Sequence, residues 1–172
     1  MEYKLIYSDR KSISASVKGG VLTVKAPRGA KREVIEAFLF KHSDWIEKHL
    51  EKAIKKEEIY SSLTDAEISK LKKDARIYLN AKTEYYAKLM GLKYGRITIT
   101  SAKTRFGSCS SDKNISYSWR LMLYPEEARE YVVVHELAHL VEMNHSPRFY
   151  KIVEGVLPDY KSRKKLLSLT PQ

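Results

Sequence analysis

The segment VVVHELAHLVEMNH, residues 132–145, decides how the rest of the chain is interpreted. Its apolar residues have the spacing of a helix that packs into a protein core. It also carries three histidines and two glutamates: His135, Glu136, His139, Glu142 and His145. A buried imidazole or carboxylate without a partner is costly. The segment therefore predicts a polar site built into a core helix.

His135 and His139 lie one helical turn apart. Residues at this spacing share one face of a helix, so both imidazoles can reach one ion at zinc–nitrogen distances of about 2.0–2.1 Å. Glu136 is rotated by roughly 100° from His135. Its carboxylate is therefore expected beside the ion's open position and not among the ligands. This H-E-x-x-H pattern predicts a metal-dependent hydrolase with Glu136 as the general base.

The third metal ligand has two candidates. A catalytic zinc ion usually has three protein ligands and one position for water. On a continuous helix His145 would be rotated by about 240° from His139, but the sequence from Asn144 to Pro147 predicts a break that returns His145 to the ion. Glu154, on the following predicted helix, is the alternative, and we favour His145. Glu142 is interpreted either as a partner that orients a ligand imidazole or as an exposed residue.

The rest of the chain predicts an α+β protein of short strands and longer helices. Strands are predicted at 12–17, 21–27, 96–101, 105–110 and 114–119, with a hairpin turn at Gly19-Gly20. Helices are predicted at 32–40, from Ser43 to a connector at 55–62, at 65–90 after a Thr64–Glu67 capping box, at 125–144, from Pro147 and over 159–169. These elements predict an N-terminal strand-rich lobe with two helices over residues 1–60, and a catalytic lobe over 61–172.

Composition restricts the environment and the partners. The net charge is +11, which can attract nucleic acid or nucleotides, although clusters at 70–76 and 161–165 are interpreted as polar helix faces. The single cysteine, Cys109, excludes an internal disulfide, and its position between serines favours a packing role over that of a nucleophile. Neither a signal peptide nor a membrane span is visible, which predicts a cytoplasmic protein without a membrane partner.

Two longer segments resemble a known family. TRFGSCSSDKNISYSWRLMLYP at 104–125 and HELAHLVEMNHSPRFY at 135–150 resemble the YgjP-like metallopeptidases, relatives of the SprT-like zinc peptidases. Phe106 and Tyr150 stand where the resemblance predicts tryptophan, but both are aromatic. The resemblance implies a zincin-like lobe, in which the active-site helix packs on a small antiparallel sheet.

The resemblance also implies a site and a substrate. One zinc ion would be held by His135, His139 and His145, with Glu136 as the catalytic base. An edge strand over Arg105–Ser110 would hold an extended peptide by backbone pairing. The substrate implied is therefore a peptide or protein. A further donor to the oxyanion is expected, and the candidates are Arg105, Tyr117, Arg120 and Arg148.

Two other functions stay open on sequence grounds. The same activated water could attack a phosphoanhydride, which would make the protein a nucleotide pyrophosphatase. The sequence lacks the glycine-rich phosphate loop or carboxylate cluster for magnesium that such an activity favours. The basic charge also allows a nucleic-acid-associated protein, or a peptidase directed at DNA-bound proteins. We therefore predict a zinc metallopeptidase first and these two functions as alternatives.

Overall fold

The computed structural model describes residues 2–171. The chain divides into two compact units, Met1–Ser62 and Leu63–Gln172. The first unit contains three strands and two helices: β1 Lys4–Ser8, β2 Ser14–Lys18, β3 Val21–Pro27, α1 Arg32–Lys41 and α2 Ser43–Ser62. The predicted strands β2 and β3 and the predicted helix α1 are confirmed. Strand β1 was not predicted, and the connector predicted at 55–62 is wrong because α2 continues through it.

The sheet of the first unit has the order β1-β3-β2. Its central strand, β3, is parallel to β1 and antiparallel to β2. The predicted turn at Gly19 and Gly20 joins β2 to β3, and both glycines have positive φ, 55° and 75°, as a tight hairpin turn requires. Alternate residues of β3 are buried together with one isoleucine from each helix, and this core consists of Leu22, Val24, Ala26, Ile35 and Ile46.

The second unit begins with the long helix α3, Asp65–Met90. The predicted capping box is confirmed: Thr64 and Glu67 bond reciprocally at its start, and Gly91 ends it in the left-handed conformation. The other elements are β4 Ile97–Thr100, β5 Gly107–Cys109, β6 Ile115–Ser118, a 3₁₀ helix Trp119–Leu123, α4 Glu126–Ala138, α5 Pro147–Val156 and α6 Tyr160–Leu166. The predicted α+β class is confirmed.

The sheet of the second unit places β5 at its edge, in the order β4-β6-β5. Strand β6 is parallel to β4 and antiparallel to β5, so this sheet is mixed and not wholly antiparallel as expected. Ile115 and Tyr117 of β6 are fully buried. They share a core with Val133, Val134 and Leu137 of α4, and α4 also packs on β5. The sheet thus brings an edge strand against the helix that carries the histidines.

Helix α4 ends at Ala138, earlier than the predicted end at Asn144. The amides of Leu140 and Val141 bond to carbonyls three residues back, each at 3.0 Å, and form a turn. Val141 and Met143 are about half exposed, so these two apolar residues add little burial that would favour a longer helix. The next helix, α5, starts as predicted, with Ser146 as its cap and Pro147 in its first turn.

Candidate metal centre and active site

Three histidines meet at the point where α4 ends. One ligand nitrogen from each of His135, His139 and His145 lies within 4.8 Å of the other two. The Nε2 atoms of His135 and His145 are 3.0 Å apart. The turn after Ala138 reverses the chain, and this reversal brings His145 back to the first two histidines. Three imidazole nitrogens around one point fit the donor set of a catalytic zinc site.

Hydrogen bonds at the far ring nitrogens orient two of the imidazoles. Nδ1 of His139 lies 3.1 Å from the carbonyl oxygen of Glu142 and donates to it. Nδ1 of His135 lies 3.3 Å from the hydroxyl of Tyr131. Because its Nδ1 donates, the ring of His139 keeps the lone pair of Nε2 for a metal, and His135 does the same when its Nδ1 donates to the hydroxyl of Tyr131. Glu142 therefore orients a ligand as one interpretation predicted, but through its backbone carbonyl and not through its carboxylate.

Tyr131 and Phe149 were not singled out by the sequence analysis. Tyr131 lies one turn before His135, so the spacing of four was a signal for its role. Phe149 of α5 is fully buried, and its ring centroid lies 4.9, 4.6 and 4.8 Å from those of His135, His139 and His145. A single aromatic side chain therefore supports all three imidazoles. Nothing in the local sequence pattern distinguishes Phe149 from an ordinary core residue.

Burial keeps two of the histidines, His135 and His139, in the form that binds metal. Burial lowers the pKa of His135 to about 3, and the nearby charges of His139 and His145 act in the same direction. Burial also lowers the pKa of His139. Both imidazoles are therefore neutral near pH 7, and only a neutral imidazole can bind a metal ion.

Glu136 lies beside this group and outside it. Its side chain is 5% exposed and packs against Gly107 of β5, where a Cβ atom would lie 2.7 Å from both Cγ and Cδ of Glu136. No side chain at position 107 could occupy that space, so the glycine allows the carboxylate to lie on the strand. Burial raises the pKa of Glu136 to about 8, and the positive charge of Arg105 opposes this increase.

The other candidate residues lie in different environments. Glu154 is exposed and does not belong to the histidine group. Burial, and to a lesser extent the negative charge of Glu136, raises the pKa of the Cys109 thiol. A raised pKa is unfavourable for a nucleophile. The hydroxyl of the buried Tyr117 bonds to Thr83 at 3.0 Å, and the guanidinium of Arg120 donates to the backbone. The side chains of these two oxyanion candidates therefore form hydrogen bonds within the core.

Arg105 and Arg148, the other two oxyanion candidates, are exposed. Arg105 is the one whose charge acts on Glu136. In the part of the chain from residue 2 to residue 171, no helix is long and apolar enough to cross a bilayer.

Comparisons with known proteins give a match to a family and matches among solved structures. The model of a family described as YgjP-like, metallopeptidase domain, matches residues 11–70 and 61–169. The search of curated proteins gives no significant match. Among solved structures, the crystal structure of the metallopeptidase zymogen of Pyrococcus abyssi abylysin is 24% identical with a TM-score of 0.48, and the alignment covers 52% of this chain and 90% of that chain.

Proposed function

The chain belongs to the YgjP-like metallopeptidase family, and we propose that it holds one zinc ion with His135, His139 and His145 and hydrolyses peptide bonds with Glu136 as the general base. One observation carries the proposal: the three ligand nitrogens lie within 4.8 Å of one another, and a buried carboxylate follows the first of them in the sequence. Histidines that only packed in a core helix could each find a separate hydrogen-bond partner, so they would not need to converge on one point.

The donor set supports zinc and defines the role of the metal. Imidazole nitrogens suit zinc and also bind copper, nickel and iron, and metal analysis of the purified protein distinguishes these ions. When bound, zinc supplies Lewis-acid chemistry: it makes a water molecule more acidic and polarises the substrate carbonyl. Phe149 excludes solvent from the side of the histidines on which it packs.

Glu136 carries out the proton transfers in this proposal. Its carboxylate accepts a proton from the attacking water and then donates it to the nitrogen of the leaving amine. A base must be ionised, and burial raises the pKa of Glu136 to about 8 even against the opposing charge of Arg105. The positive charges nearby, from Arg105 and from a cation held by the histidines, favour the ionised carboxylate. Arg105 is our preferred donor to the oxyanion, because it is exposed and its charge acts at this carboxylate.

Strand β5 provides the surface for the substrate. It is the edge strand of its sheet, and an extended peptide can add to such an edge by backbone hydrogen bonds. Gly107 lies in this strand against Glu136, so a peptide paired with β5 would pass the catalytic carboxylate. The free edge of β5 therefore supports the peptide substrate that the family resemblance implies.

The proposal is tested by metal analysis and peptide hydrolysis on the same preparations. Wild type should contain one equivalent of zinc and cleave an unstructured protein, whereas nucleoside triphosphates should not be hydrolysed. The His145→Ala variant should lose metal and activity, and Glu154→Ala, the matched control, should keep both. Loss of metal in Glu154→Ala but not in His145→Ala would contradict the ligand set. Full peptidase activity of Glu136→Gln would contradict the role of the base.

A further inference from the structure

A pocket opens directly beside the candidate base. Its volume is about 410 Å³, in the size range of ligand sites. His135 and Glu136 form part of its wall, so an occupant of the pocket would lie next to the reacting bond. The other walls are mostly apolar: Phe106 directly precedes β5, Tyr131 and Val132 lie in α4, and Leu167 directly follows α6. A large apolar side chain is the complementary occupant.

A second cavity adjoins this pocket and has a different character. Its volume is about 540 Å³, and Lys164 and Ser168 line both cavities. Two further lysines, Lys161 and Lys165, line it, and its floor is formed by Tyr150 and Tyr160, whose rings stack with centroids 5.8 Å apart. The two cavities therefore form one continuous surface, apolar beside Glu136 and basic farther along α6.

The basic residues of α6 differ in their partners. Arg163 faces inward, where it bonds to Glu130 at 2.7 Å and to Asp159 at 2.8 Å. Lys161, Lys164 and Lys165 are exposed, and within residues 2–171 no carboxylate forms an ion pair with any of them. Three neighbouring ammonium groups without a counter-ion favour a negatively charged partner.

The ammonium groups of Lys161 and Lys164 are held close to the tyrosine floor. Nζ of Lys164 lies 5.5 Å from the ring centroid of Tyr150, and Nζ of Lys161 lies 5.8 Å from that of Tyr160. These contacts fix the positive charges beside the second cavity. The charge of Lys164 also acts on His135, so this basic group extends to the metal centre itself.

We propose that the two cavities select the substrate of this peptidase: a peptide segment with a large apolar residue in the pocket beside Glu136, and an acidic residue two positions away that pairs with Lys161, Lys164 and Lys165. This inference rests on the proposed peptidase function. Residues two positions apart point to the same side of an extended chain, as two adjoining cavities on one surface require. A peptide is favoured over nucleic acid because the basic surface continues into the pocket of the catalytic centre.

Binding is measured with the zinc-loaded Glu136→Gln variant, so that recognition is separated from hydrolysis. Fluorescent peptides in a serine and alanine background carry Phe-Ser-Glu, Phe-Ser-Lys or Ala-Ser-Glu, and anisotropy gives each Kd. Replacing phenylalanine by alanine should weaken binding at least about tenfold, since the pocket loses its occupant. Replacing glutamate by lysine should weaken binding about fivefold or more, because an attractive pair becomes repulsive.

Charge reversal on α6 provides the decisive variant. Changing Lys161, Lys164 and Lys165 together to glutamate should reverse the order of the Phe-Ser-Glu and Phe-Ser-Lys peptides. The same reversal at Lys70, Lys72 and Lys73, all exposed on α3, changes the net charge equally and should leave the order unchanged. If the α6 glutamate variant does not fold, replacement of the three lysines by glutamine should abolish the difference between the two peptides.

Three outcomes would overturn the inference. The first is an equal Kd for all three peptides with the Glu136→Gln protein whose α6 is unchanged. The second is an equal effect of the α6 and α3 charge reversals on the order of the peptide Kd values. The third is a peptide order unaffected by the α6 change while binding to a DNA duplex is lost, which would assign the lysines to nucleic acid. Hydrolysis by the enzyme with Glu136 intact is scored separately, so the predicted peptide order without cleavage would refute the proposed function and not the recognition.

Discussion

The two sheets of this protein have the same topology and different chemistry. In each sheet, the strand that comes last in the sequence, β3 or β6, lies in the centre. It is parallel to the strand that comes first and antiparallel to the strand that comes second. In each unit a helix packs on the antiparallel edge strand, α2 on β2 and α4 on β5. Helix α2 buries only Ile46 and Tyr60, whereas α4 buries Glu136 against Gly107. The arrangement of strands thus supports a site without creating one, and a few side chains determine which sheet has a function.

Substitutions in the two helices that pack on these sheets should differ most in their effect on kcat when the base on α4 is changed. We expect Glu136→Gln to lower kcat by about 10²–10⁴-fold, as for loss of a general base, with zinc content and thermal stability retained. The matched change on the other helix is Glu51→Gln, at an exposed position of α2, and it should leave kcat unchanged. Peptide hydrolysis and metal analysis of the two variants test this prediction. Equal activity of both variants would remove the functional contrast between the sheets.

The glycine of β5 should rank second. A Cβ atom at Gly107 would collide with Glu136, so Gly107→Ala should displace the carboxylate and lower kcat by about 10²-fold, the cost of misplacing a catalytic group by about 1 Å. KM and zinc content should change little. Ser16→Ala in β2 is the control on the corresponding edge strand. If Gly107→Ala lost zinc as readily as activity, the glycine would be needed for the fold of the site and not for the position of the base.

Ion pairs provide a third contrast. Glu130 of α4 is 16% exposed and binds both Lys82 and Arg163, while the first unit has the exposed pair Arg32–Glu36. Glu130→Gln should lower the free energy of unfolding by about 2 kcal/mol, since charged hydrogen bonds are lost. Arg32→Gln should leave it unchanged, because exposed pairs contribute little. Denaturant unfolding measures both, and equal losses would show that burial of the pair has no consequence.

The contribution of Glu130 should also depend on pH. Burial alone would raise the pKa of Glu130, but hydrogen bonds from Lys82 and Arg163 lower it below its ordinary value of 4.5. A carboxylate whose pKa is lowered in the folded state stabilises the protein above its unfolded pKa, and this contribution is lost as the pH falls through the folded pKa. The difference in stability between wild type and Glu130→Gln should therefore be constant above about pH 5 and narrow below it. A difference that widened in acid would contradict this account.

Orientation of the ligands should have the smallest effect. Tyr131→Phe removes the hydroxyl beside Nδ1 of His135 and should weaken zinc affinity about tenfold, at the low end for such partners. In α2, Trp45 stacks on His49, and Nδ1 of His49 donates to the carbonyl of Trp45. Trp45→Phe therefore changes an aromatic neighbour of a histidine outside the candidate metal site and serves as the control. Zinc competition with a chelator measures both affinities. No change in Tyr131→Phe would show that Phe149 and the backbone alone orient the ring.

The sequence predicted the candidate site better than the strands around it. The spacing of His135 and His139 predicted their shared face, since helix periodicity is a local property. The return of His145 was also expected, but through a break from Asn144 to Pro147, whereas the chain turns earlier, after Ala138. Strand β1 was missed because its pairing partner, β3, lies beyond an intervening strand, and such pairing leaves a weak local pattern. The early end of α4 could not be predicted from the helix-start and helix-stop residues of the sequence, because the exposure of Val141 and Met143 depends on tertiary packing.

The three candidate ligands all lie within residues 135–145. An ion bound there would close only a short loop of chain, whereas cross-links add most stability when they join distant segments. Of the two hydrophobic cores, the one in the second unit contacts the imidazoles, through Phe149. We therefore expect the chain to fold before an ion binds, so that zinc would switch on the chemistry of a protein that is already folded.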